Sequence, residues 1–169
     1  MVLNIIVAMT RERVIGKDGQ IPWRIPDDVN LFKRLTTNNI VIMGRNTWLS
    51  IPEKFRPLPD RLNIIVSSTM KDEKKAMVCK SVGTALEVAR KSPGNIFCIG
   101  GAQLYESMLP LAEVLHISWI KKSYDGNTYF PEVNFEEWEV VEEKDFEEFT
   151  YKRYIRKPAK PTTLPLIGL

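Results

Sequence analysis

Four short apolar runs, at residues 3–9, 40–43, 62–66 and 96–99, are rich in isoleucine and valine, and the first is interrupted only by Asn4. Runs of this length, closed by Gly or Ser, predict strands buried on both faces of a sheet. Between them the apolar spacing turns helical, at 26–36, 47–51, 82–90 and 102–109. Strand and helix alternate, so the pattern predicts an α/β fold with a largely parallel sheet. Beyond Pro110 the character changes. Residues 114–120 predict another strand, and Trp138 and Val140 alternate with glutamates. Phe149 and Tyr151 alternate with polar residues before Tyr154 and Ile155, which predicts two half-exposed strands in an antiparallel ending. The chain contains no internal repeat.

Three connections stand out. Residues 10–25 carry Gly16, Gly19 and Pro22 and exceed an ordinary strand-to-helix loop, a length that marks functional lids. Residues 51–61 hold Pro52, Pro57 and Pro59 and should be stiff. From Lys157 onward Pro158, Pro161 and Pro165 precede a closing Leu-Ile-Gly-Leu, a tail that cannot continue a sheet. The expectation is one domain over 1–157 followed by a proline-rich tail over 158–169.

Composition narrows the function classes. With 24 basic and 21 acidic side chains among 169 residues, the net charge of +3 is too balanced to argue for nucleic acid. The acidic stretch at 132–148 and the basic one at 152–160 read as solvated faces. The start of the chain lacks a basic n-region and enters a strand pattern directly, so no signal peptide is expected. No apolar run is long enough to cross a bilayer. Cys79 and Cys98 have neither metal-ligand nor redox spacing, which fits buried free thiols in a cytoplasmic protein. His116 is the only histidine, sits in a strand pattern and reads as structural; no metal site is expected.

The chemistry concentrates at residues 21–33. Pro26 suits the first helical position, where its missing N–H has no helical partner to lose. Asp27 and Asp28 follow in the first turn, where the helix dipole favours acids. Helical spacing puts Asp28 on the face of Leu31, Phe32 and Leu35, whereas Asp27 leads along the rim to Asn30 and Arg34. An acid on an apolar face gains proton affinity, so Asp28 is the candidate working residue. The competing reading is that both acids only cap the helix. Two strand-to-helix junctions, Met43-Gly44-Arg45-Asn46-Thr47 and Ile99-Gly100-Gly101-Ala102-Gln103, expose backbone N–H groups suited to phosphate, and Ser67, Ser68 and Thr69 add hydroxyls at a third. Three such strand ends imply an elongated ligand with several phosphates. The chain has neither a G-x-G-x-x-G fingerprint nor a Walker loop.

Taken in order, the chain resembles the dihydrofolate reductase family over residues 3–156. The resemblance rests on Val14-Ile15-Gly16, Ile21-Pro22-Trp23, Pro26-Asp27-Asp28 with Phe32-Lys33, Val41-Ile42-Met43-Gly44-Arg45-Asn46-Thr47-Trp48, Ser50-Ile51-Pro52, Arg56-Pro57-Leu58-Pro59-Asp60-Arg61, Ile99-Gly100-Gly101-Ala102-Gln103-Leu104-Tyr105 and Asp125-Gly126-Asn127-Thr128-Tyr129-Phe130-Pro131. It implies a central eight-stranded, mostly parallel sheet with an antiparallel C-terminal strand, flanked by four helices. It also implies reduction of 7,8-dihydrofolate to tetrahydrofolate by NADPH in a cytoplasmic monomer without nucleic-acid or membrane partners.

On matching positions, the resemblance makes Asp28 the active-site acid that meets the pterin, with Ser118 as its hydrogen-bond partner and Trp23 holding a water nearby. It makes Ile6, Val7, Val29, Phe32, Ile51, Leu58 and Ile99 walls around the substrate rings, and Arg61 the grip on the glutamate α-carboxylate. The implied cofactor side comprises Ala8, Ile15, Gly16, Ile21, Gly44, Arg45, Asn46, Thr47, Val66, Ser67, Ser68, Thr69, Lys80, Gly100, Gly101, Ala102, Gln103, Leu104 and Tyr105. Gly100-Gly101 matches the family's cis peptide.

Three departures qualify the resemblance. Gln103 stands where some members have arginine, which shifts selection for NADPH toward Arg45. Residues 52–55 resemble the longer connector of eukaryotic members, whereas the acid Asp28 resembles bacterial ones. The tail has no counterpart. Two alternatives are a same-fold reductase of another heterocycle, which would need neither Arg61 nor the acid on the helix face, and a non-catalytic nucleotide-binding module, which would gain by losing Asp28.

Overall fold

The computed structural model describes residues 2–161. Its elements are β1 (Leu3–Thr10), β2 (Val14–Gly16), α1 (Pro26–Thr36), β3 (Ile40–Gly44), α2 (Arg45–Ser50), β4 (Leu62–Val66), β5 (Met77–Cys79), α3 (Val82–Arg90), β6 (Ile96–Gly100), α4 (Ala102–Met108), β7 (Val114–Ile120), β8 (Thr128–Tyr129), β9 (Trp138–Asp145) and β10 (Phe149–Arg156). Eight strands form one sheet in the order β5-β4-β3-β6-β1-β7-β10-β9, while β2 and β8 pair separately. Every pairing from β5 to β7 is parallel, and β10 runs antiparallel to both of its neighbours.

The predicted strands and helices are present, with small shifts. Helix α2 begins at Arg45, two residues before the spacing predicted. The short strands β2, β5 and β8, at two or three residues each, carry too little pattern to be read. The C-terminal pair is less symmetrical than predicted. Only Trp138 is buried in the edge strand β9, whereas β10, lying between β7 and β9, buries Phe149, Tyr151 and Tyr154. Residues 157–161 continue no strand, and the rest of the expected tail, 162–169 with Pro165, lies outside the described residues.

The sheet separates two apolar layers. On one face Leu3, Ile5, Val7 and Met9 of β1 join Leu115, Ile117 and Tyr154 under Ala85, Leu86 and Ala89 of α3 and Leu104, Tyr105 and Met108 of α4. On the other, Ile6, Val41, Met43, Ile65 and Phe97 pack against Trp48 of α2, and Ile120, Phe149 and Tyr151 pack against Leu31 of α1. The period of two along each strand sends alternate residues to opposite layers, and the site residues follow from that division. Cys79 and Cys98 are buried free thiols, and burial pushes the Cys98 thiol up to about 12.

Candidate active site

Helix α1 begins where the resemblance and the helical spacing both require. Ile25 is extended at the N-cap (φ −125°, ψ 100°), Pro26 opens the helix, and Asp27 and Asp28 occupy its first turn. Asp27 is exposed, whereas Asp28 turns toward the sheet and is half-buried. There Ser118 of β7 donates its hydroxyl to Asp28 Oδ1 across 2.6 Å. Burial raises the proton affinity of the Asp28 carboxyl above its ordinary value, and the Ser118 hydrogen bond opposes the rise.

The apolar walls gather on the same face of the sheet. Phe32, Ile51, Leu58 and Ile99 pack with Ile6 in one cluster; Ala8 and Trp23 belong to the adjoining one. Val29 stands open to solvent at the mouth, 61% exposed. Val7 departs from expectation: in a strand buried on both faces its side chain points into the opposite layer. An unbroken apolar run hides which of its residues face the site, and register decides it.

Arg61 closes the far end. Its Nε–H donates to Pro59 O at 2.8 Å and its Nη1 to Thr36 Oγ1 at 3.0 Å. Among the described residues it enters no ion pair. A half-buried guanidinium so held, its proton affinity lowered by desolvation and partly restored by Asp60, is suited to an incoming carboxylate. Two supporting residues escaped the sequence reading. Thr36 orients Arg61, and buried Asn63 clasps Leu58 by accepting from its N–H and donating to its carbonyl, both at 2.9 Å. Asn63, a polar residue inside an apolar strand run, was the one available signal.

The long loop after β1, expected as a lid, is tied down along its length. β2 pairs with β8, and Asp18 and Asn127 bond reciprocally: the Asp18 N–H donates to Asn127 Oδ1 at 3.0 Å, and Asn127 Nδ2 to Asp18 Oδ1 at 2.9 Å. Gly126 lies so close that a Cβ there would sit 2.2 Å from Val14 Cγ1 and 2.6 Å from Gly16 O. Ile15 packs inward against the core, while Ile21 is 64% exposed.

Across the sheet the two glycine junctions abut. A Cβ on Gly44 would lie 3.6 Å from Gly101 N, and one on Gly101 would lie 3.5 Å from Thr47 Oγ1. The Gly100–Gly101 peptide is cis. Arg45, Asn46, Ser68, Thr69, Lys80 and Gln103 are exposed where the neighbouring strands β5, β4, β3 and β6 end, with Val66 and Ala102 half-buried among them. Some expected cofactor residues are differently employed. Leu104 and Tyr105 point into the core beneath α4, where the Tyr105 hydroxyl donates to Ile6 O at 2.8 Å. The Ser67 hydroxyl builds its own turn by accepting from Met70 N–H at 3.0 Å.

An acid whose proton affinity is raised by burial, set beside an apolar cluster and two abutting glycine junctions, suits an enzyme that adds hydride and a proton to a heterocycle. The class is a nicotinamide-dependent oxidoreductase. The dihydrofolate reductase family model matches residues 2–157. Dihydrofolate reductase of Haemophilus influenzae is 40% identical over 149 residues, covering 88% of each chain, and that of Bacillus subtilis is 39% identical over 140 residues, covering 82% and 81%. A solved structure of dihydrofolate reductase from Enterococcus faecalis, complexed with NADP(H) and RAB-propyl, superposes with a TM-score of 0.84 at 30% identity, covering 93% of this chain and 97% of that one. The chain belongs to the dihydrofolate reductase family. None of these matches favours the alternative heterocycle reductase or the non-catalytic module.

Proposed function

We propose that this chain reduces 7,8-dihydrofolate to 5,6,7,8-tetrahydrofolate with NADPH, and that the hydrogen-bonded pair Asp28–Ser118 is the part of the protein that directs the proton. The 2.6 Å contact between them is the observation that carries the reading. A carboxylate in this position accepts hydrogen bonds from the pterin ring nitrogen and amino group, and its negative charge raises the basicity of N5. Ser118 keeps the carboxylate turned toward the ring and shares in recognising it. Trp23, buried beside α1, orders the water that delivers the proton. Phe32, Ile51, Leu58, Ile6 and Ile99 exclude other solvent, while Val29 closes the mouth and Arg61 takes the glutamate carboxylate.

The chain's residues also fit the cofactor. The two junctions face each other, a Cβ on Gly44 pointing at Gly101 N and one on Gly101 at Thr47 Oγ1, so peptide N–H and hydroxyl groups line the seam and suit a phosphate. When bound, NADPH supplies the hydride that passes to C6. Gly44, Arg45, Asn46, Thr47, Gly100, Gly101 and Ala102 would hold the pyrophosphate. Arg45, Ser68, Thr69, Lys80 and Gln103 would meet the 2′-phosphate. Ala8, Ile15, Gly16 and Ile21 would close over the nicotinamide end.

The working unit is a cytoplasmic monomer whose reductase domain ends near residue 157. The monomer is supported by edge strand β9, whose charged half at 142–145 pairs to β10 through Arg153–Glu142 and Lys152–Glu143 and which has a register shift opposite Arg153 and Tyr154, features that discourage strand addition. Following NADPH oxidation with and without dihydrofolate tests the activity. Oxidation that depends on the folate is expected; oxidation indifferent to it would overturn the reading.

A further inference from the structure

The sheet face that carries Ser118 holds a second polar assembly that the proposed chemistry leaves unused. His116, two residues before Ser118 on β7 and on the same face, has both ring nitrogens engaged. Nδ1 lies 2.8 Å from the Tyr151 hydroxyl and Nε2 lies 2.9 Å from Asn4 Oδ1. Asn4 fixes the direction of the chain, because its Nδ2 donates to Val2 O and Ile96 O, each at 3.2 Å, leaving Oδ1 as the acceptor. The His116 Nε2–H therefore donates to Asn4, and Nδ1 accepts the Tyr151 O–H. Burial, together with Arg153 opposite, holds the His116 pKa down to about 4, in keeping with a neutral ring.

This chain of bonds ties β10 to β7, β1 and β6, and one end of it stands beside the working pair. Tyr151 is directly opposite Ser118 in the antiparallel register. Side chains so paired start about 5 Å apart. Tyr151 also packs in one cluster with Leu31, one helical turn beyond Asp28 on α1. It thus borders both the strand that supplies the hydroxyl and the helix that supplies the carboxyl. Serine lacks the β-methyl that stiffens χ1, so the direction of its Oγ depends on neighbours.

We propose that Tyr151, anchored by His116 and Asn4, is a positioning residue that aims the Ser118 hydroxyl at Asp28. The inference rests on the reading of Asp28 as the working acid. Ser118 of β7 is the group bonded to Asp28; the Tyr105 hydroxyl of α4, held on Ile6 O, feels its charge, Asp27 precedes it on the exposed side of α1, and His116, Tyr151 and Arg153 lie along the strands behind Ser118.

Tyr151→Phe deletes one hydroxyl and keeps the ring. The measurement is the titration of the Asp28 carboxyl by carbon NMR in the ligand-free protein. The expected result is a rise in the Asp28 midpoint of about half a pH unit or more, because the bond that lowers it has loosened. His116→Gln, a second break in the same chain, moves it in the same direction. In a Ser118→Ala background the Tyr151→Phe shift disappears, since no bond remains to be aimed. Tyr154→Phe is the control: its buried hydroxyl accepts from Trp119 Nε1 at 2.9 Å on the opposite face, and its loss lowers the Tm without moving Asp28. The proposal is overturned if Tyr151→Phe lowers the Tm but leaves the Asp28 titration in place, or if the shift persists without Ser118. Failure of folate-dependent NADPH oxidation in the unaltered protein would instead remove the functional reading, and the ligand-free titration distinguishes the two.

Discussion

Ser118 and Asp28 lie 90 residues apart in sequence and 2.6 Å apart in space, the hydroxyl of a central strand donating to the carboxyl of the first helix. Burial works against that carboxyl's charge, so the folded protein holds the Asp28 proton more tightly than the unfolded chain, whose value is 3.8. Stability from this group is therefore lost as pH rises from the unfolded value through the higher folded one. Asp28→Asn removes that loss. Its Tm gain over the parent should grow with pH across this window and then level, while turnover falls by about 10²-fold or more. Exposed Asp27→Asn should alter turnover by less than about twofold. Melting curves and rate profiles on the three proteins over pH decide it; equal losses from the two aspartates would show that the acid is misassigned.

That pair also marks how far the chain can be read unaided. Helical spacing separated Asp28 from Asp27, because which side of a helix a residue takes is a local matter. Ser118 came only from the family resemblance, since a contact between α1 and β7 leaves no trace in either segment. The same holds for Thr36 under Arg61, Asn63 around Leu58, and the chain of Asn4, His116 and Tyr151. The polarity of Asn4, Asn63 and His116 inside apolar runs is visible; their partners are set by register. Val7 shows the converse. Strands buried on both faces alternate without a polar signal, so Ile6 and Ala8 could not be told from Val7 until β1 was placed between β6 and β7.

Arg61 is held by Pro59 O and Thr36 Oγ1 and enters no ion pair among the described residues. Arg61→Leu should raise the KM for dihydrofolate roughly 10- to 100-fold, the worth of hydrogen bonds to a charged group. The inhibition constant of a pterin analogue lacking the glutamate should stay within about twofold. Equal weakening of both ligands would rule out a carboxylate grip at this residue.

Gly126 is the tightest joint of the lid, since a Cβ there would press on Val14 and on the Gly16 carbonyl. Backbone cannot yield as a side-chain tip does, so Gly126→Val must push the 10–25 loop away from β8. The cost should be about 1–3 kcal/mol of stability from overpacking. Turnover should drop by up to about 10²-fold through misplacement of the lid over the reacting groups. Asn127→Ala, which breaks the tie to Asp18 without adding volume, should have the same sign and a smaller size. Denaturant midpoints and single-turnover rates measure both, and unchanged hydride-transfer rates in Gly126→Val would deny the loop a role in closure.

His116 should shape the acid limb of stability. Its folded pKa of about 4 lies below the ordinary 6.5, because burial and nearby Arg153 disfavour the imidazolium. Between those values the unfolded chain binds a proton that the folded protein refuses, so stability falls as pH drops from 6.5 toward 4, by roughly 3 kcal/mol in total. His116→Gln has no such proton to take up. It should be less stable than the parent near neutrality, by about 1–3 kcal/mol, because Tyr151 and Asn4 lose their shared partner. That gap should narrow steadily on acidification as the parent alone is penalised. The upward shift of Asp28 expected in His116→Gln costs that variant stability only above the Asp28 midpoint, so it narrows the gap on acidification in the same direction. Chemical denaturation of the two in parallel across this range gives the gap directly, and a gap that stayed constant with pH would mean that His116 titrates in the folded protein as it does in the unfolded chain.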